Sequence, residues 1–340
     1  MSKNSSIAIV AGVAIAVAII ASVMAFSGVS DNSMPMDTPE VDQTNLVSQE
    51  EKLTVLTSFY PYHEFTKNVA GDFAEVKQFM PSGVEAHDWE PRAQEIQSLN
   101  DADVFVYNGL GMEPYVENII GSGEFDNVLF VKASEGVELL KFEDDHDDHD
   151  EHAKEDEHDG HDHDYEFDPH IWLDPLLVKQ QVNVIRDGLI QADPQNKEHY
   201  EENARIYNNK MDALDMKIES SLSSCQKDTI VPFHNAFTYL GERYDIHVMA
   251  LSGMTPDSEA SAAEIAEFVD FVKDNDIKVI FSEELVDPRL AEVIAEETNA
   301  QVMLFSPLEA LTPDEIGTNI SYIDKMEQNL DSLVVALECQ

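Results

Sequence analysis

Twelve histidines are distributed through 340 residues, and imidazole beside carboxylate is the donor chemistry of borderline divalent cations. Six of them, His146, His149, His152, His158, His161 and His163, crowd into residues 143–168 (EDDHDDHDEHAKEDEHDGHDHDYEFD) among fifteen acidic residues and one Lys. This segment has almost nothing to bury and reads as an exposed, disordered loop able to hold ions weakly; an acidic run that only aids solubility is the competing reading. A floppy chain must be ordered around each ion, so tight binding requires donors on a rigid scaffold.

Three histidines outside the loop have the contexts for that role. His87 lies in PSGVEAHDWEP, just after an expected strand, where α/β folds display ligand-binding loops. His170 lies in DPHIWLDP at the foot of the His-rich segment, and His234 follows an apolar run in PFHNAF. Their separations of 83 and 64 residues match no local zinc signature such as HExxH. On spacing alone each is also compatible with a hydrogen-bonded structural histidine. His63 reads as a surface residue, His199 as lying on a helix surface and His247 as a strand residue.

The elements that must position these side chains follow from hydrophobic patterning. Short apolar runs at 53–59, 73–80, 104–107 and 128–131 predict four strands, and runs at 229–233, 246–251, 277–281 and 301–305 predict four more. Amphipathic stretches, for example 260–275 and 288–298, lie between many of them. This alternation predicts an α/β architecture of two small lobes with mostly parallel four-stranded sheets. Between the halves, Tyr200, Tyr207, Met211, Leu214, Ile218 and Leu222 recur at helical spacing after Asp193-Pro194. A single helix over 194–224 is expected, about 45 Å long, as a rigid strut joining the lobes. The expected organisation is a signal peptide or membrane anchor at 1–29, a tether at 30–50, a first lobe at 51–175 with the loop at 143–168, a linking helical tract at 176–224 and a second lobe at 225–340.

Charge and composition narrow the function. With 68 acidic against 20 basic residues the formal net charge is −48, which repels phosphate backbones and attracts cations. No phosphate-cradling glycine loop is present: Gly109-Leu110-Gly111 continues Met112-Glu113-Pro114, and no GxxxxGK occurs. Nucleic-acid binding and nucleotide-driven chemistry within the chain are excluded on these grounds. Cys225 and Cys339, the only cysteines, are not at CxxC spacing, which excludes a thiolate metal site; they can pair as a disulfide in an exported protein if the fold brings them together. Residues 7–29 are uncharged, long enough to span a bilayer, and also resemble a long signal peptide. Lys3 and the amino group favour a cytoplasmic N-terminus, placing the body of the protein outside the cytoplasm.

The strings SFYPYHEF, PSGVEAHDWEP, ADVFVYNGLGMEPYVENII, DPHIWLDP, HNAFTYLGERY and VIFSEELVDPRLAEVIAEETNAQV occur in family order from Leu53 to the C-terminus. Together they resemble the metal-binding solute-binding proteins of ABC importers, most closely the zinc branch. The resemblance implies two α/β lobes bridged by a long helix, a metal in the interlobe cleft, and His87, His170 and His234 as its ligands, two from the first lobe and one from the second. It implies Zn(II) as cargo and, as partners, a membrane permease with its ATPase; the chain is expected to act as a monomer. An acidic His-rich insert before the second ligand is typical of zinc importers.

Two departures from the family pattern bear on the fourth ligand. Where many members carry an aspartate, this sequence reads Leu304-Phe305-Ser306-Pro307-Leu308, and the residue directly before the first histidine is Ala86. Three histidines completed by water or a loop group are therefore expected, and the missing carboxylate favours zinc over manganese. Glu283 is expected beside the cleft in a supporting or structural role, with an Arg as its partner. The reading is extracytoplasmic zinc capture, without enzymatic activity. The alternatives are a manganese or iron carrier, a zinc hydrolase built on three histidines and an activated water, and an adhesin.

Overall fold

The computed structural model describes residues 52–141, 166–253, 255 and 260–340. The N-terminal segment, the tether and all six loop histidines lie outside the described residues. Among those described, no helix is long and apolar enough to cross a membrane.

The first half is an all-parallel sheet of β1 (Leu53–Thr57), β2 (Ala74–Gln78), β3 (Val104–Tyr107) and β4 (Leu129–Lys132), in spatial order β2-β1-β3-β4. Strand β3, reading VFVY, is buried at every position, as an internal strand covered on both faces requires. Helices α1 (Tyr60–Ala70), α2 (Ala93–Ser98) and α3 (Pro114–Ser122) make the connections. Proline in the first turn opens α1 and α3, where its missing N–H costs no helical bond.

Two helices follow. In α4 (Pro175–Ala192), Pro175 occupies the first turn and the Asp174 carboxylate accepts from the Leu176 and Leu177 amides at 2.7 and 3.4 Å. In α5 (Lys197–Leu222), Tyr200, Ala204, Tyr207, Met211, Leu214 and Ile218 form the buried face. The expected helix start at Asp193-Pro194 is displaced: Asp193 closes α4 through its N–H to Leu189 O, and Pro194–Asn196 is a single 3₁₀ turn. The Asp193 carboxylate accepts from Asn196 and Tyr200 side chains rather than from backbone, so Asn196 becomes the residue that begins α5. At 26 residues the helix is about 39 Å long.

The second half carries β5 (Thr229–Ile230), α6 (Thr238–Tyr244), β6 (His247–Val248), α7 (Ala262–Asp274), β7 (Val279–Ser282), α8 (Arg289–Thr298), β8 (Gln301–Leu304) and α9 (Tyr322–Ala336). All strand pairing is parallel, and the four strands form two ladders, β5-β6 and β7-β8. A bond from Phe281 N–H to Val231 O, 3.0 Å, joins the ladders just past the short β5. Pro232 cannot donate to a ladder, which accounts for β5 ending early.

One apolar core runs through both halves: Val55, Phe65 and Val104 belong to the same buried cluster as Tyr207, Phe281, Phe305 and Leu333. Helix α5 spans it, with Tyr207 packing on Phe65 of α1 and Lys217 pairing with Glu327 of α9 at 2.7 Å. Continuous apolar packing of this kind opposes free hinging between lobes. Cys225 and Cys339 form a disulfide across 114 residues, tying the end of α5 to the chain terminus. The Gln226 and Lys227 amides both donate to Leu337 O at the same corner.

Because the bridge closes so long a loop, Cys225→Ser with Cys339→Ser should lower unfolding free energy by about 2–5 kcal/mol. Urea denaturation of the oxidised protein against the double variant checks this, and an unchanged midpoint contradicts it.

Candidate metal centre

His87, His170, His234 and Glu309 converge in the cleft, all buried, with one potential donor atom from each lying within 4.8 Å of the others. His87 belongs to the irregular segment after β2, His234 to the turn after β5, and Glu309 to the turn after β8. The ligand-bearing turns therefore cluster beyond carboxyl ends of parallel strands, where open α/β sheets leave a crevice. His170 comes from the turn entering the 3₁₀ segment Ile171–Leu173, ahead of α4.

The geometry centres on the Glu309 carboxylate. Its Oε1 lies 3.3 Å from His87 Nε2, 3.5 Å from His170 Nε2 and 3.7 Å from His234 Nε2. His87 Nε2 and His170 Nε2 are 3.3 Å apart. A tetrahedral ion with arms of ~2.0–2.1 Å has donor–donor edges of about 3.3–3.4 Å. The four groups thus stand at nearly the spacing of such a shell.

Carboxylates on the far side of two rings set their orientation. His170 Nδ1 lies 2.8 Å from Asp168 Oδ1, which also accepts the His170 amide at 2.9 Å. His234 Nδ1 lies 2.6 Å from Glu283 Oε2, and the His234 amide donates to Glu283 Oε1 at 3.2 Å. The Asp168 carboxylate bonds His170 Nδ1 and the Glu283 carboxylate stands at ion-pair distance from His234 Nδ1, and both leave Nε2 facing the centre, the usual outer arrangement of metal-binding histidine. Around His87, Glu85 accepts the His87 and Asp88 amides, both at 3.0 Å, and folds the segment back on itself.

Electrostatics follow from this packing. Burial depresses the His87 pKa below the ordinary imidazole value. For His170, burial also opposes the charge, but Asp168 outweighs it and the pKa is raised. His234 is likewise buried, yet Glu283 and Glu309 push it up to about 10. Burial would raise Glu309, but the three imidazoles hold its carboxyl well below the usual range. The metal-free cluster is therefore a compact ion-paired group rather than four neutral side chains.

The three histidines singled out from sequence come together here. The fourth corner is different from the expectation: a carboxylate occupies it, supplied by Glu309, three residues beyond Ser306. Ser306 is buried but points its polar groups elsewhere, with backbone bonds to Asn329 and Oγ accepting from Leu308 N–H. The signal for Glu309 in the sequence is an acidic residue three positions after Ser306, in Ser306-Pro307-Leu308-Glu309. The inference that a lost carboxylate favours zinc accordingly falls away, and metal preference rests on shell geometry. Glu283 pairs with His234 and not with an Arg. His63 is half-buried on α1 instead of on the surface, and burial with nearby Lys67 lowers its pKa to about 4. His199 is exposed and stacks on Phe73, and His247 is exposed on β6, both apart from the cluster.

A two-lobed α/β fold with a buried histidine–carboxylate cluster in its cleft defines a metal-binding solute-binding protein. Residues 55–336 match the model of the ZnuA family, zinc-uptake complex component A, periplasmic, and the chain belongs to that family. The high-affinity zinc uptake system protein ZnuA of Bacillus subtilis is 38% identical over 287 residues, covering 84% of this chain and 88% of that protein. The zinc-binding lipoprotein AdcA of Streptococcus pneumoniae is 38% identical over 290 residues, covering 85% of this chain but only 57% of the lipoprotein's own length. Among solved structures, the Zn(II)-bound ZnuA-like domain of Streptococcus pneumoniae AdcA superposes with a TM-score of 0.71 at 35% identity, over 85% of this chain and all of that domain.

The raised histidine pKa values carry a definite sign. A proton held more tightly in the folded than in the unfolded state stabilises the fold fully below pH ~6.5, and that contribution is lost as pH rises through the folded pKa. For Glu309 the depressed pKa stabilises above the ordinary carboxylate range and is lost on acidification. Metal-free protein should therefore lose melting temperature from pH 6.5 towards 10, and His234→Gln should lose less over the same interval. Parallel slopes in thermal melts with chelator present would contradict the assignment of His234⁺.

Proposed function

We propose that this chain captures Zn(II) outside the cytoplasm and delivers it to an ABC-type permease driven by a partner ATPase. The observation that carries the reading is the shell: three Nε2 atoms within 3.3–3.7 Å of one Glu309 oxygen. Three imidazoles and a carboxylate in tetrahedral spacing suit zinc, whereas manganese favours oxygen-rich octahedral coordination. A small recess lined by Glu85, Glu283, Glu284, Leu285, Pro307 and Glu309 adjoins the centre, and its acidic wall attracts cations.

The chemistry is coordination and release, with no enzymatic turnover. A zinc hydrolase keeps one position open for activated water. Here Glu309 supplies the fourth donor, so the protein closes the shell itself. The site is tight because its ligands are held on turns of a packed scaffold. The six histidines of residues 143–168 act separately as weak, multiple sites that raise the local ion concentration. Lys141 and Phe167, which flank those six histidines, meet in an antiparallel bridge three residues before His170.

Competition titration with a chromophoric zinc chelator tests the assignment. His87→Ala, His170→Ala, His234→Ala and Glu309→Ala should each weaken the tight site by more than about 100-fold, beyond the 10–100-fold typical of residues that only support ligands. Wild-type affinity in His234→Ala would refute the four-ligand centre. Deleting residues 144–164 should leave the tight zinc ion in place and lower total stoichiometry. A large loss of tight affinity on that deletion would instead make the segment a supplier of ligands to the centre.

A further inference from the structure

Helix α9 carries three polar residues on its buried face: Tyr322, Lys325 and Asn329, with fractional exposures of 0, 1 and 3%. Spacings of three and four residues place them in one row, alongside apolar Met326, Leu330 and Leu333. A fully buried lysine is rare, and replacing buried ionic groups with apolar ones of similar size is often neutral or stabilising. Hydrophobic adhesion of the helix therefore does not call for this row.

Each member of the row holds a turn that bears a metal-centre residue. Asn329 clamps the Ser306 peptide from both sides: its Oδ1 accepts from Ser306 N–H at 2.8 Å, and its Nδ2–H donates to Ser306 O at 2.7 Å. Ser306 Oγ in turn accepts from Leu308 N–H, and Leu308 sits at φ 60°, a left-handed conformation disfavoured for leucine, directly before Glu309. Lys325 Nζ donates to Glu284 Oε1 at 2.7 Å and Glu315 Oε1 at 2.8 Å. Glu284 follows Glu283, the carboxylate that orients His234, while Glu315 accepts from Thr312, three residues past Glu309. Tyr322 OH donates to Trp172 O at 2.6 Å, and the Trp172 indole N–H donates across the cleft to Pro307 O at 2.7 Å. Trp172 stands two residues after His170, and Pro307 two before Glu309.

We propose that the Tyr322–Lys325–Asn329 row of α9 is the positioning element of the metal centre, holding the His170, His234 and Glu309 turns in mutual register and thereby setting how tightly zinc is held and how fast it leaves. None of the three is itself a donor to the ion. The proposal rests on the four-ligand reading given above and adds the device that enforces it. His87 is held separately, by Glu85 capping its own turn.

The test measures zinc Kd by chelator competition, and dissociation rate into excess chelator, for Lys325→Met, Asn329→Leu and Tyr322→Phe. Each substitution is repeated in a Glu309→Ala background, and Leu330→Ala serves as a control that removes buried bulk from the same helix. Lys325→Met and Asn329→Leu should raise Kd about 10–100-fold with faster release. Tyr322→Phe, which loses one hydroxyl and keeps the ring packing, should act in the same direction by a smaller factor. In the Glu309→Ala background the Asn329 effect should fall below about threefold, because a residue acting through Glu309 is not additive with its loss, while Lys325, which also reaches the His234 turn through Glu284, should lose only part of its effect. Leu330→Ala should lower the melting temperature while leaving Kd within about twofold. Equal fold-changes for Asn329→Leu in both backgrounds, or a Kd shift in Leu330→Ala matching those of the polar variants, would overturn the proposal and leave the row a general stabiliser. If Lys325→Met or Asn329→Leu does not fold, an unchanged release rate in Tyr322→Phe overturns it. Glu309→Ala with wild-type Kd is the distinct result that would overturn the four-ligand reading itself.

Discussion

The structure is organised around one electrostatic constraint: three imidazole nitrogens, drawn from both sides of a cleft, must be kept within about 3.3–3.7 Å of one carboxylate oxygen and away from water. Left to themselves, such groups would separate and hydrate, since burying polar donors without partners is costly. The protein meets this cost in two ways. Asp168 and Glu283 take the outward ring nitrogens, so His170 and His234 are paired even without an ion. Glu309 lies among all three imidazoles and offsets their charge, as the opposite pKa displacements of His234 and Glu309 express.

Holding this arrangement requires that neither lobe drift, because an ångström of slippage would open the shell. The fold answers with a core that passes without a break from the first sheet to the second and with α5 lying across it. Polar bonds across the cleft beside the site include Trp172 to Pro307, Tyr322 to Trp172, Tyr239 OH to Asp168 O at 3.1 Å, and Arg243 to Asp174 at 3.0 Å. The Cys225–Cys339 bridge fixes the far end of α9 to α5. Rigidity in the body and strain at Leu308 thus sit on opposite sides of the same loop, the one supporting the other.

Much of this was legible before any coordinates. Apolar runs at 53–59, 104–107 and 301–305 are strands because alternation and β-branched content act locally, and Tyr200 to Ile218 form one helix face because 3.6-residue periodicity is also local. The motifs around His87, His170 and His234 marked them as candidate ligands through resemblance to a family, and the fold brings the three together. Strand lengths in the second half were less legible: Pro232 cuts β5 short, and the pattern of four strands resolves into two ladders joined by one Phe281 bond. Likewise, Pro194 is equally suited to a helix start and to a tight turn, and only the packing of Asp193 against Tyr200 decided between them.

The sequence by itself determined the α/β class, the extreme acidity that selects for cations, and which histidines are candidates, because these depend on composition and on short-range pattern. Tertiary structure alone decided that Glu309 rather than Ser306 faces the centre, that Glu283 serves His234, that Cys225 meets Cys339, and that a lysine and an asparagine in α9 are buried against ligand-bearing turns. Those facts join residues from 23 positions apart in the chain to the 222 that separate His87 from Glu309, or turn on a left-handed leucine, and no local periodicity encodes which buried partner a polar side chain will meet once the lobes close.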